Sequence, residues 1–182
     1  NTVVYISIYR DAYRRDQPVT FTEAGNIESI SIYHSAGTGS LLLGVYADQS
    51  GSPSSRLGVT ASTAVSGTTG WQTVALTSPV AVTSGQTVWL SYVFQTNPGV
   101  RYVAGTPARA LATTAWAGGM PDPFGSATFA NYKFSLYCTY TAGSTGPFLT
   151  VSPTSISLGS GSGANGTFNI TSNTTWSITD NA

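Results

Sequence analysis

A chain of 182 residues and 18.9 kDa is long enough for one packed domain and an appendage. Only 8% of its residues are charged, seven basic against seven acidic, which excludes the clustered Lys and Arg that nucleic acid or an anionic membrane surface requires. With 41% hydrophobic residues and 12% aromatics, it has the apolar surface to bury a core, so its wealth of Ser, Thr and Gly does not imply disorder.

In chain order, Asn1-Thr2-Val3-Val4-Tyr5 lacks the charged and apolar regions of a signal peptide, so a secreted form is expected to have lost that peptide. No apolar run reaches the roughly 18 residues of a membrane-spanning helix. Helical periodicity is missing, and β-branched and aromatic residues recur in short runs broken by Gly, Pro, Asn and Ser. Strands are expected at residues 2–9, 18–22, 27–34, 40–47, 57–61, 71–76, 86–95, 101–104 and 130–140. The alternation is clearest in Ile27-Glu28-Ser29-Ile30-Ser31-Ile32-Tyr33-His34, where Ile30 and Ile32 face a core and Ser29 and Ser31 face solvent. The pattern suits an all-β, jelly-roll-like two-sheet sandwich over residues 1–141.

The segment Arg10-Asp11-Ala12-Tyr13-Arg14-Arg15-Asp16 nearly cancels its own charge and reads as a solvated turn with local ion pairs. The other reading carries Arg14 or Arg15 inward to anchor a loop through backbone carbonyls. Residues 48–55 read as a turn-rich hairpin connection. Trp71 and Trp89 sit in alternating runs, where an indole packs on a core or a sheet face. Cys138, the single cysteine, lies in an apolar-alternating run and is expected to be a buried structural thiol.

Residues 106–127 form the longest expected loop and carry Trp116, Met120 and Phe124, which makes it the leading functional candidate. An exposed indole stacks on the apolar face of a pyranose while polar neighbours bond its hydroxyls. The ligand-binding candidates are therefore Trp116, Phe124, Asp122 and Arg109, joined by Arg101 and Tyr102 if the preceding strand delivers them to the same end. The competing reading has Trp116 and Phe124 plugging the loop onto the sandwich.

Catalytic residues are scarce. His34 is the only histidine and has no activated nucleophile beside it in sequence, and no carboxylate pair has a glycosidase spacing. One His and one Cys make no transition-metal set. For calcium, Asp48, Asp122 and loop carbonyls supply hard oxygen ligands, but no Asp-rich loop gathers them.

Beyond the linker at 142–147, residues 148–182 have strand periodicity but too few residues to close a core, like the opening half of a second sandwich. Trp176 is expected in the small core of that unit. Asn165, Asn169 and Asn173 open Asn-X-Ser/Thr sequons, common by chance in sequence this rich in Ser and Thr.

Two resemblances sharpen this outline. Leu149-Thr150-Val151-Ser152-Pro153 and Ser172-Asn173-Thr174-Thr175-Trp176-Ser177-Ile178 resemble the start of the BACON group of bacterial Ig-like domains, which follow enzyme and binding modules in secreted proteins. The first domain, through Leu43-Gly44-Val45-Tyr46, Gly70-Trp71-Gln72-Thr73-Val74, Val88-Trp89-Leu90 and Met120-Pro121-Asp122-Pro123-Phe124-Gly125, resembles secreted bacterial β-sandwich modules of carbohydrate-binding type. The resemblance implies an extracellular or cell-surface, non-catalytic module that binds neutral polysaccharide or glycan, without nucleic acid or membrane insertion. The reading from another class is a structural subunit of an extracellular fibre or surface layer, joined to neighbouring copies of itself by strand addition through residues 148–182.

Overall fold

The computed structural model describes residues 7–9, 13–113, 116–143, 149–172 and 175–179. Residues 2–6 of the first expected strand, Arg10 to Ala12 of the charged segment, most of the linker, Phe148 and the Asn173 sequon lie outside them. The chain divides into two compact units, Asn1–Gly143 and Ser144–Ala182.

The first unit is an all-β sandwich. Its strands are β1 (Ser7–Tyr9), β2 (Arg14–Thr20), β3 (Gly25–His34), β4 (Ser40–Gln49), β5 (Ser52–Val59), β6 (Thr63–Ala64), β7 (Gly70–Val82), β8 (Thr87–Phe94), β9 (Val100–Ala112), β10 (Thr128–Phe134) and β11 (Leu136–Ala142). One layer is β7–β3–β11 and the other is β2–β8–β4–β5, all antiparallel. The long strand β9 turns the corner between them. It pairs with β3 at Val100, with β2 at Ala110 to Ala112, and with β1 and β10 along its length, so the layers belong to one continuous hydrogen-bonded sheet.

The alternating pattern places the core between the layers. Ile27, Ile30 and Ile32 of β3 and Val74 of β7 meet Leu41, Leu43 and Val45 of β4 and Leu90, Tyr92 and Phe94 of β8. His34 ends β3 fully buried, with Nδ1 2.7 Å from the Ser35 carbonyl and Nε2 2.8 Å from Gln72 Oε1. Both ring nitrogens are thus occupied in fixing the β3–β7 edge. Cys138 is half-buried against the same core, and burial pushes its thiol pKa up, which keeps it protonated.

Strands β7 and β9 run longer than their sequence pattern suggests, for one physical reason. Prolines read as breaks, but in these two strands they fall where the ladder is already interrupted. Pro79 lies in the gap between the Ala75↔Ser29 and Val80↔Ile27 pairs of β7 with β3. Pro107 lies between the Ala104↔Tyr132 and Arg109↔Ala130 pairs of β9 with β10. At such irregularities the missing N–H costs no ladder bond. So β9 absorbs the first part of the expected 106–127 loop.

The 48–55 connection is tighter than a loop. Ser50 and Gly51 both have positive φ, 53° and 82°, and join β4 to β5 as a two-residue hairpin turn. The expected strand at 130–140 instead divides at Ser135, whose N–H donates to the Arg101 carbonyl and whose own carbonyl accepts from Tyr33 N–H. There the chain leaves β9 for β3.

In the second unit, β12 (Leu149–Ser152) and β13 (Asn169–Ser172) form a two-stranded antiparallel sheet. Trp176, expected in a small core, is 50% exposed, and Leu149, Leu158 and Ile178 are exposed with it. The described strands of this unit supply one layer, and a single layer leaves these apolar side chains uncovered.

Candidate functional site

Strand β8 is buried along nearly its whole length, which a strand with one solvated face would not be. Its inner side chains meet the main core. On the outer face of β2–β8–β4, register places Val93 and Leu42 in one row, Asp16, Ser91 and Gly44 in the next, then Pro18, Trp89 and Tyr46, and last Thr20 and Thr87, while Arg14 two residues before Asp16 and Asp48 two residues after Tyr46 continue this face along β2 and β4. Residues 116–127 fold back over the first rows as a lid, and Met120 and Phe124 make a second core there with Tyr46, Trp89, Val93, Ala110 and Ala112.

The lid is fastened from three strands. Arg14 Nη2 donates to the Phe124 carbonyl at 2.5 Å, and the guanidinium carbon sits 4.0 Å from the Phe124 ring centroid. The Tyr46 hydroxyl donates to the Pro121 carbonyl at 2.8 Å, with its ring edge-on to Phe124 at 5.1 Å. From β5, the Arg56 side chain donates to the Met120 carbonyl, Arg56 N–H donates to Asp122 Oδ1 at 3.0 Å, and Phe124 N–H donates to the Ser54 carbonyl at 2.8 Å.

This arrangement corrects two expectations. The charged segment is no solvated turn where it is described, because Arg14, Arg15 and Asp16 are fully buried in β2. Arg14 instead anchors a loop through a carbonyl, and the aromatic faces of Phe124 and Tyr46 offset part of its desolvation. The lid residues also differ from an exposed stacking platform. Phe124 is 2% exposed, Trp116 is half-buried against the second core, and Arg109 is buried with its guanidinium 5.8 Å from the Tyr132 ring centroid. Asp122 is exposed but tied to the Arg56 amide.

The six candidates are not brought together. Trp116, Asp122 and Phe124 share the lid, and Arg109 lies in the later part of β9. Arg101 and Tyr102 lie near its start, where Tyr102 packs on the main core with Tyr132 and Phe134.

Beneath the lid, burial raises the Asp16 pKa well above the usual carboxylate value, while the Ser91 hydroxyl and the Arg14 guanidinium pull it part of the way back. Burial lowers the Arg14 pKa. The folded protein therefore holds the Asp16 proton at a pH where the unfolded chain, with a carboxyl near 3.9, has released it. The stabilisation from this group is complete below about pH 4 and is lost as pH rises toward the folded pKa. Asp16→Asn is expected to remove that slope, so its stability relative to wild type improves as pH rises above about 4. Urea midpoints across a pH series check this, and parallel wild-type and variant profiles would sink it.

Where the lid ends, the face stays open as a groove of about 580 Å³ lined by Pro18, Thr20, Asp48, Gly51, Thr87, Trp89, Pro107, Ala108 and Phe129. None of the six sequence candidates lines it. Trp89 is 3% exposed, and its Nε1 donates to Asp48 Oδ1 at 2.8 Å. Phe129 of β10 stands 47% exposed beside it, ring centroids 6.1 Å apart. The hydroxyls of Thr20 and Thr87 bond each other at 2.7 Å, which leaves one hydroxyl hydrogen and several lone pairs for a ligand. Asp48 Oδ2 accepts from Gly51 N–H at 3.1 Å. The two aspartates weighed for calcium are thus both engaged with the protein, and no three His, Cys, Asp or Glu gather among the described residues. The missed signal was the run Thr87-Val88-Trp89, which reads as packing alone because sequence does not reveal that the lid stops short of it.

Fold and groove together define a β-sandwich domain with an open aromatic cleft on one outer face. The chain belongs to the family described as a domain of unknown function (DUF4082), whose model matches residues 19–120, more than half of the sequence. No curated protein and no solved structure matches it.

Proposed function

We propose that the domain is a non-catalytic module of an extracellular or cell-surface protein that binds a short stretch of neutral glycan in the Trp89–Phe129 groove. The observation that carries this reading is the half-covered outer face of β2–β8–β4. The lid seals one half, and the other is a cleft whose size falls in the range of about 300–1,000 Å³ typical of small-ligand sites. Phe129 offers an exposed ring to the C–H face of a pyranose, and the prolines add apolar wall. The Thr20–Thr87 pair and the remaining lone pairs of Asp48 suit sugar hydroxyls, both as acceptors and as a donor.

This reading keeps the glycan chemistry expected from sequence and places it beside the lid instead of on it. Calorimetric titration with soluble cello- and chito-oligosaccharides tests it. Binding is expected, with Phe129→Ala lowering affinity about tenfold, equivalent to about 1.4 kcal/mol. Silence across the panel, or a Phe129→Ala variant that binds as wild type does, overturns it.

A further inference from the structure

Of the described residues that line the groove beside the lid, Asp48 is the one that carries an ionisable side chain. The rest are prolines, threonines, two aromatic rings, a glycine and an alanine. Asp48 is half-buried, and both donors to it are neutral: Trp89 Nε1 to Oδ1 at 2.8 Å and Gly51 N–H to Oδ2 at 3.1 Å. Arg109, next to Ala108 in the chain, is buried with its guanidinium carbon 5.8 Å from the Tyr132 ring centroid. The groove thus presents a carboxylate with no Lys or Arg on its described walls to balance it.

That carboxylate is held in place. One oxygen is tied to the indole and the other to the hairpin turn at Ser50 and Gly51, so it cannot swing away without breaking both bonds. Each oxygen keeps lone-pair capacity for a ligand. A half-enclosed cleft with apolar walls screens charge less than open water does, so a full charge on the ligand is felt there. An ammonium gains a charge-assisted bond to Asp48, stronger than a hydroxyl's. The exposed Phe129 ring acts with the same sign, because an aromatic face attracts a cation. A ligand carboxylate has no proton to donate and meets a like charge.

We infer that Asp48 sets the charge selectivity of the groove. Among glycans alike in linkage and length, it favours one with free amino groups, admits the uncharged one and rejects one that carries carboxylates. The inference rests on the groove reading above and names the sugars that the groove takes: neutral sugars and unacetylated amino sugars, not uronic acids.

Calorimetric titration of the full chain with β-1,4-linked oligomers of glucose, glucosamine and glucuronic acid, equal in length, tests it in a mildly acid buffer that keeps the amine protonated. The glucosamine oligomer is expected to bind about tenfold more tightly than the glucose oligomer, and the glucuronic acid oligomer about tenfold more weakly. Both steps are expected to shrink in about 1 M NaCl, where the Debye length is about 3 Å. That readout uses the unaltered protein and does not depend on how a variant folds. Asp48→Asn keeps an oxygen for Trp89 Nε1 and is expected to compress the three affinities to within about threefold of one another. Equal wild-type affinities for all three oligomers, steps that ignore salt, or an order that survives Asp48→Asn overturn the inference and leave the groove reading standing. Silence from all three overturns both. Binding of the glucosamine oligomer alone upholds selection by Asp48 and overturns the neutral-glycan reading. A lysine-rich peptide that outcompetes the glucosamine oligomer overturns the inference, because the cation then counts without the sugar.

Discussion

Arg14→Ala is expected to lower the free energy of unfolding by about 3–5 kcal/mol, as large-to-small changes at buried sites do. Three losses act together. A fully buried side chain leaves a cavity, the Phe124 carbonyl loses its buried donor, and the rings of Phe124 and Tyr46 lose the cation between them. Relief from desolvating the guanidinium offsets part of this, since burial already lowers the Arg14 pKa. Arg14→Lys separates charge from shape, because an ammonium keeps the cation but not the planar group that lies over Phe124. It is expected to fall between the alanine variant and wild type. Urea denaturation measures both, and a change under about 0.5 kcal/mol for Arg14→Ala would remove Arg14 from the role of anchor.

Phe124→Ala is the second large effect, about 3–5 kcal/mol for loss of a buried aromatic. The ring is 2% exposed and touches Tyr46 and Arg14, so its removal empties the centre of the lid. This experiment also decides between the two readings of the 106–127 loop. A surface ring used only for stacking on sugar would cost the fold less than about 0.5 kcal/mol and would cost binding heavily. A ring that fastens the lid does the reverse. Because Arg14 and Phe124 touch, their double variant is expected to lose less than the sum of the two single losses.

The sequence makes the inward rows legible wherever one face is wet. Ile30 and Ile32 of β3 could be read as core because Ser29 and Ser31 alternate with them, although Ser31, expected to face solvent, is itself fully buried and bonded to Thr73 Oγ1 at 2.7 Å. That logic stops at β2 and β8, where both faces are buried and Arg14 and Asp16 are hidden by a lid from a hundred residues downstream. An arginine and an aspartate two residues apart read as surface in any local window. The aromatic content of the lid was visible in Trp116 and Phe124, but aromaticity alone does not say whether a ring faces sugar or backbone. Trp71 shows the converse, since its alternation with Thr73 and Ala75 suggested packing on a core or a sheet face, whereas its ring stands 48% exposed.

The corner strand β9 also governs when the sandwich can close during folding. Its partners come from opposite ends of the unit, Ser7–Tyr9 on one side and Thr128–Phe134 on the other. Neither layer is joined to its neighbour through β9 until the last third of the unit is present, so closure of the sandwich is expected to come late in folding and not strand by strand from the N-terminus. Contacts of such long sequence separation place the domain among folders on the millisecond-to-second scale. Until then the rings of Tyr92, Phe94 and Phe134 have no shared interior, and it is in that interval that the domain is most open to association with its neighbours.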